Sequence, residues 1–275
     1  MKNSLACVLP AQKTKNAETL KEIALADCRN ATVLKNFGLD YSFRGKYTLQ
    51  EACKEQNLSL SDVKYKLYAA IQLPRVYHLR YEEWPADYLV DFIVINHHQY
   101  VRKSLLMITE LFSHVPVDMQ RAYPFILQAG EIFQRIAIAM SAYLVQEEQA
   151  IFPYVRFLVQ ATQSSLPENA VHAGCIKHRI AILEIEQKIV GEDLALIRNL
   201  FSNYVLPGGA LSVVAALFQA LNDFDDDLQQ HVHLENNILY PTVMKLEKER
   251  LRPFVPAPGL SALVTLPEKT AGTLF

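Results

Sequence analysis

The chain has 275 residues, of which 51% are hydrophobic and 20% are charged, as is usual for globular protein. Its 27 lysine and arginine residues face 29 aspartate and glutamate residues, so there is no basic surplus to bind a phosphate backbone and no nucleic-acid partner is expected. Because it also has no run of about 18 apolar residues, no signal-peptide pattern and no closely spaced cysteines, we predict a cytoplasmic protein without membrane association.

The first part of the chain predicts a small helical domain. After an N-terminal extension, residues 1–16, apolar periodicity in ETLKEIALADC and two further short helices in TLQEACKEQ and LSDVKYKLYAAIQ define residues 17–73. A proline-containing linker, residues 74–85, follows. The sequence therefore predicts two domains.

The second domain, residues 86–249, contains long helical segments with short connections. These segments cover residues 86–114, 120–162, 167–201 and 208–249. Helices of this length pack most easily as an antiparallel four-helix bundle, so we predict an all-α fold. The proline-containing residues 250–275 are predicted to form a tail.

In each long segment, apolar residues at helical spacing form a stripe that would face the centre of the bundle. Each stripe is interrupted by polar residues, and the interruptions fall at the same level of the bundle. The first stripe contains His98, the second Glu147, the third His178, and the fourth both His231 and Glu235. The third stripe consists of Val171, Cys175, His178, Ile182, Ile185 and Ile189. Buried carboxylates are costly unless a positive charge compensates them, so the pattern predicts a cation at this level.

The types of donor indicate which metal would bind. Histidine and carboxylate donors without thiolate suit iron, manganese or zinc, and two carboxylates that can bridge favour two ions over one. We therefore predict two iron ions with a position open to an oxo bridge, dioxygen or nitric oxide. Manganese and zinc are the alternatives that the same donors allow.

An internal repeat relates the second and fourth segments. EEQAIFP at residues 147–153 matches ENNILYP at residues 235–241, and His231 lies one turn before Glu235. The position that corresponds to His231 in the second segment is Tyr143. A phenolate at Tyr143 can bind ferric iron, whereas a neutral phenol would leave that iron one ligand short.

These motifs resemble the repair of iron centres (RIC) family, of the YtfE and ScdA type. The resemblance covers about residues 17–249 and rests on FGLDYSFRGKYTLQEAC, IVINHHQYVRKSL, EEQAIFP, His178 and HVHLENNILYP. It implies a ScdA-type N-terminal domain and a hemerythrin-like four-helix bundle, in which four histidines and two bridging glutamates hold two irons. Carried over to this sequence, the ligands are His98, Glu147, His178, His231 and Glu235.

Two positions depart from the family pattern. Tyr143 stands where the family has its fourth histidine, and Ser42-Phe43 stands where many relatives have a pair of cysteines. Thiol chemistry at the cysteine pair is therefore not expected in this chain. Whether Tyr143 serves as a ligand is left open at this point.

The resemblance also implies a function. It indicates a metal-binding repair protein, rather than a classical enzyme, that restores iron-sulfur clusters damaged by nitric oxide or peroxide by donating iron to iron-sulfur cluster proteins. Two alternatives remain: a hemerythrin-like sensor or carrier of dioxygen or nitric oxide, and an interaction protein whose metal site has degenerated at Tyr143. The sequence leaves both a monomer and a homodimer open.

Overall fold

The computed structural model describes residues 18–72, 79–163, 175–208 and 212–250. The predicted N-terminal extension, the first part of the predicted linker and the predicted tail beyond residue 250 lie outside these ranges. Within them the regular structure is helical, apart from one isolated antiparallel bridge between Thr19 and Thr48. The all-α prediction is thus confirmed.

The small N-terminal domain is built from four short helices. They are α1 (Leu20–Ala26), α2 (Cys28–Asn36), α3 (Leu49–Glu55) and α4 (Leu60–Gln72). Capping boxes begin two of them: Thr19 pairs with Glu22 at α1, and Thr48 pairs with Glu51 at α3. Apolar residues from all four helices pack into a core separate from that of the larger domain.

The larger domain contains long helical segments that lie along one another. A 3₁₀ turn (Tyr81–Glu83) leads into α5 (Ala86–Phe92), α6 (Gln99–Ser113), α7 (Val117–Ala122), α8 (Phe125–Gln146), α9 (Phe152–Gln163), α10 (Cys175–Leu200), α11 (Ser212–His233) and α12 (Tyr240–Arg250). Helix α8 packs against α10 and α6, and α6 packs against α11. These contacts bury one continuous apolar core, as expected for a helical bundle.

Three of the helix pairs are continuous through a π-helical segment. The segments Ile93–His98, Glu147–Ile151 and Leu234–Leu239 join α5 to α6, α8 to α9 and α11 to α12.

Nowhere in the described ranges does a helix have both the length and the apolar character needed to cross a bilayer.

The small domain docks on the bundle through the loop between α2 and α3. The ring of Phe43 lies against Gly191 of α10, where an added Cβ would come within 2.6 Å of the ring. The Asn237 side chain donates to the Tyr41 carbonyl oxygen at 3.1 Å, and the Tyr41 ring meets His233 edge-on. Phe43 is therefore used here for packing between domains.

Candidate metal centre

The three π-helical segments lie where the candidate ligands are. His98 ends the first segment, Glu147 begins the second, and Glu235 is the second residue of the third. A π-helical turn interrupts the regular α-helical hydrogen bonding and occurs frequently at functional sites, because it redirects side chains locally. His231 lies in α11, one turn before Glu235.

Four of the predicted ligands form one buried cluster. His98, Glu147, His231 and Glu235 each have 0% exposure, and a donor atom from each lies within 4.8 Å of the other three. His231 Nε2 is 2.6 Å from Glu235 Oε1, and His98 Nε2 is 3.3 Å from Glu147 Oε2. The remaining two histidine-to-glutamate distances are 3.9 and 4.0 Å.

The cluster leaves donor atoms without hydrogen-bond partners. His98 Nε2 and Glu147 Oε2 are both buried and have no hydrogen bond among the described residues. Buried polar atoms normally find a partner, because an unsatisfied one costs about 1–3 kcal/mol. Two nitrogen and two oxygen donors within 4.8 Å of one another fit a divalent metal such as iron, manganese or zinc, which would satisfy these atoms.

A carboxylate outside the cluster orients His98. His98 Nδ1 lies 2.7 Å from Glu148 Oε1, and Arg102 donates to the same oxygen at 2.9 Å. Because a carboxylate only accepts, Nδ1 carries a proton, and Nε2 is the ring atom that a metal could bind. Partial burial acts to raise the pKa of Glu148, but the hydrogen bonds from Arg102 and His98 lower it below its usual value.

His98 is contacted by Glu148, whereas the ring of His231 lies against another histidine. The ring of His97 stacks on that of His231 with centroids 5.7 Å apart and an interplanar angle of 9°. His97 Nδ1 in turn lies 2.9 Å from Asp227 Oδ1. Asp227 therefore orients His97, while His231 Nδ1 has no hydrogen-bond partner in the described part of the chain.

The opposite side of the two carboxylates is filled by neutral hydrogen-bond donors. Tyr143 Oη lies 2.7 Å from Glu235 Oε2 and 2.9 Å from Glu147 Oε1. Tyr240 donates a hydrogen bond to Glu147 Oε1. The Gln187 amide donates to Glu235 Oε2 at 2.9 Å and also to Tyr143 Oη. Each glutamate thus turns one oxygen to the histidines and the other to this network.

Burial and neighbouring charges give the tyrosines and glutamates of this cluster different pKa values. Burial, and then the neighbouring carboxylates, raise the pKa of Tyr143 and of Tyr240 well above the usual value, so both phenols are neutral. Burial and Glu235 raise the pKa of Glu147 to about 7. Burial alone would also raise the pKa of Glu235, but His231 and His98 lower it below its ordinary range.

The structure does not bring His178 to the cluster, so the prediction that it is a ligand is wrong. Its side chain is exposed on α10, on the same face as Ile182, Ile185 and Ile189, which are 43%, 62% and 55% exposed. The inward stripe of α10 comprises Ile176, Ile180, Leu183, Gln187, Val190, Leu194 and Ile197. The helix carries two apolar stripes, and the one containing the histidine faces outward.

Sequence reasoning missed Gln187, Glu148 and the role of Tyr240, although two of them left a signal. Gln187 is the one polar residue in an otherwise apolar stripe of α10 with helical spacing. In the internal repeat Tyr240 corresponds to Phe152, so the extra hydroxyl marks a polar contact. Glu148 lies off the inward stripe, and only the structure identifies its contact with His98.

Two family models match the chain. A model described as the hemerythrin HHE cation binding domain matches residues 91–243, and a ScdA N-terminal model described as a domain of unknown function (DUF542) matches residues 16–71. The chain belongs to the hemerythrin HHE family. The two matches follow one another in the same order as the small domain and the bundle.

Curated relatives match across both domains. A probable iron-sulfur cluster repair protein of Haemophilus influenzae is 26% identical over 232 residues, which cover 82% of this chain and 96% of the relative. The iron-sulfur cluster repair protein YtfE of Yersinia pseudotuberculosis is 27% identical over 233 residues, which cover 84% and 98%. The YtfE protein of Yersinia pestis matches to the same extent. The predicted resemblance to the RIC family is confirmed.

Proposed function

We propose that the protein binds iron at the buried cluster and acts in the repair of iron-sulfur clusters. The observation that carries the proposal is the set of four fully buried donors, His98, Glu147, His231 and Glu235, inside a hemerythrin-type domain. The repair role is supported by the names of the relatives that match nearly the whole of this chain's two domains.

The residues of the cluster have separate tasks in this proposal. Glu148 fixes the tautomer of His98, so that Nε2 is available to a metal. Phe152 is fully buried and its ring lies 5.3 Å from that of His98, which keeps water from this side. When iron is bound there, it supplies redox chemistry and positions for small ligands such as dioxygen or nitric oxide.

We further propose that the damage repaired is nitrosative or oxidative and that the clients are iron-sulfur cluster proteins that receive iron from this site. All four donors are buried, so transfer of iron requires a local opening of the bundle. The pair of irons predicted from the sequence stays a prediction; in the described residues the two histidine nitrogens of the cluster lie near Glu147 Oε2 and Glu235 Oε1.

Repair activity is tested with an iron-sulfur enzyme inactivated by nitric oxide or by peroxide. Iron-loaded wild type should restore its activity, and His231→Ala, which lacks one donor, should not. His178→Ala is the matched control, because His178 is an exposed histidine of the same domain. Equal recovery with the wild type and His231→Ala would contradict the role of the cluster.

A second candidate function is reversible binding of dioxygen or nitric oxide without repair. The complete burial of the four donors favours it, because a buried ligand set retains its metal better than an exposed one. Changes in the visible spectrum on adding nitric oxide, without transfer of iron to the inactivated enzyme, would support this function. If protein purified after growth with ample iron contained no metal, this would instead support the other alternative, an interaction protein with a degenerate metal site.

A further inference from the structure

Glu147 and Glu235 face the histidines on one side and the tyrosines on the other. A metal ion would find different donor atoms on these two sides. On one side, His98 Nε2 and Glu147 Oε2 are buried without hydrogen bonds in the described residues. On the other side, Glu147 Oε1 and Glu235 Oε2 each accept at least one hydrogen bond from Tyr143, Tyr240 or Gln187. The unsatisfied atoms of the first side are a histidine nitrogen and a carboxylate oxygen, whereas the unsatisfied atom of the second side is the amide oxygen of Gln187.

A second ion would have to displace this network. Two ions bridged by carboxylates lie about 3.5–4 Å apart, so the second ion would bind the glutamate oxygens that the network now occupies. The groups that would then be its terminal ligands are two neutral phenols and an amide. The Gln187 amide turns its nitrogen to Glu235, because an amide oxygen there would face a carboxylate oxygen.

We infer that the chain holds a single metal ion, bound by His98, His231, Glu147 and Glu235, and that Tyr143, Tyr240 and Gln187 take the place of a second. The inference rests on the proposed metal site and is independent of the repair role. The network also fixes both carboxylates, because it satisfies the oxygens that the single ion leaves unused. Tyr143 is then a hydrogen-bond donor and not a ligand.

The number of ions is measured directly on iron-loaded, full-length wild type. Elemental analysis should give one iron per chain, and the oxidised protein should show the paramagnetic resonance of an isolated high-spin ferric ion. Two irons per chain, with the resonance lost through coupling, would overturn the single-ion inference and leave the metal site standing. No bound metal would overturn the proposed site and the inference with it.

Substitution of the network tests the residues themselves. Tyr143→His combined with Gln187→His should raise the ratio from one iron per chain to two. Tyr143→Phe combined with Gln187→Leu is the matched control, which removes the hydrogen bonds without adding ligands, and should stay at one. Far-UV circular dichroism checks that both double variants fold. A folded histidine variant that still binds one iron would overturn the assignment of these two residues as the barrier to a second ion.

Absorption spectroscopy gives an independent measurement. Because Tyr143 donates a hydrogen bond instead of binding the metal, oxidised protein should lack a phenolate-to-iron charge-transfer band, and Tyr143→Phe should leave its visible spectrum unchanged. A broad visible band that disappears in Tyr143→Phe would overturn this part of the inference.

Discussion

The two sides of the buried carboxylate pair differ in their surroundings: histidine nitrogens lie on one side, and phenol and amide groups lie on the other. On the histidine side, His98 is oriented by Glu148 and donor atoms remain unsatisfied. On the tyrosine side, every carboxylate oxygen has a partner. A carboxylate needs a counter-charge when it is buried alone, but hydrogen-bond donors stabilise the oxygen that a metal does not reach.

The largest effect on metal affinity is expected from the loss of a histidine donor. His231→Ala removes one of two nitrogen donors, and metal affinity should fall by more than the roughly 10–100-fold caused by loss of an orienting residue. Competition with a chelator measures the affinity, and His178→Ala should behave as wild type. Equal losses in both variants would show that the metal lies elsewhere.

The next effect is expected at the residue that orients His98. Glu148→Gln replaces an acceptor by an amide that can present its nitrogen to His98, so metal affinity should fall about 10–100-fold. Glu131→Gln, at an exposed position of α8, is the control and should bind metal normally. The idea of an orienting carboxylate would fail if the two variants matched each other in the chelator assay.

On the tyrosine side the effect should appear in stability rather than in metal affinity. Tyr240→Phe removes the hydrogen bond to Glu147, so the free energy of unfolding should fall by about 1–3 kcal/mol. Urea unfolding measures this change, and the metal-to-protein ratio should not change. Tyr88→Phe, at a tyrosine 56% exposed, controls for loss of a hydroxyl and should unfold like wild type.

The smallest effect on metal affinity is expected at Arg102, which contacts Glu148 from a partly exposed position. The Arg102 side chain is 43% exposed, and ion pairs of this kind contribute about 0–1 kcal/mol. Arg102→Ala should therefore lower metal affinity by less than about sixfold, with Lys103→Ala as an exposed neighbour for comparison. A loss as large as that of Glu148→Gln would show that Arg102 is needed to hold the carboxylate in place.

Much of the fold and the four residues of the buried cluster can be predicted from helical periodicity. His98, Glu147, His231 and Glu235 each interrupt an apolar stripe at the same level of the bundle, and the structure brings them together. Periodicity was misleading on α10, where both faces are apolar and the exposed one carries His178. A pattern of spacing gives the angle between residues but not which of two apolar faces is turned inward.

The residues around the buried cluster were harder to predict for a physical reason. Glu148 and Arg102 act from a partly exposed position, where charged residues are common and carry no pattern. Gln187 and Tyr240 act through hydrogen bonds between helices distant in sequence, which depend on how the helices are set against one another. Such contacts are a property of the assembled bundle and not of any one segment.

The π-helical segment Leu234–Leu239 behaves as a single-residue insertion in an otherwise regular helix. One residue fewer would restore α-helical hydrogen bonding and turn all of α12 by about 100° relative to α11. Tyr240, the first residue after the segment, would then point away from Glu147, while His231 and Glu235 would keep their places at the start. The length of this short stretch, and not only its residues, therefore decides which side chains meet at the centre of the bundle.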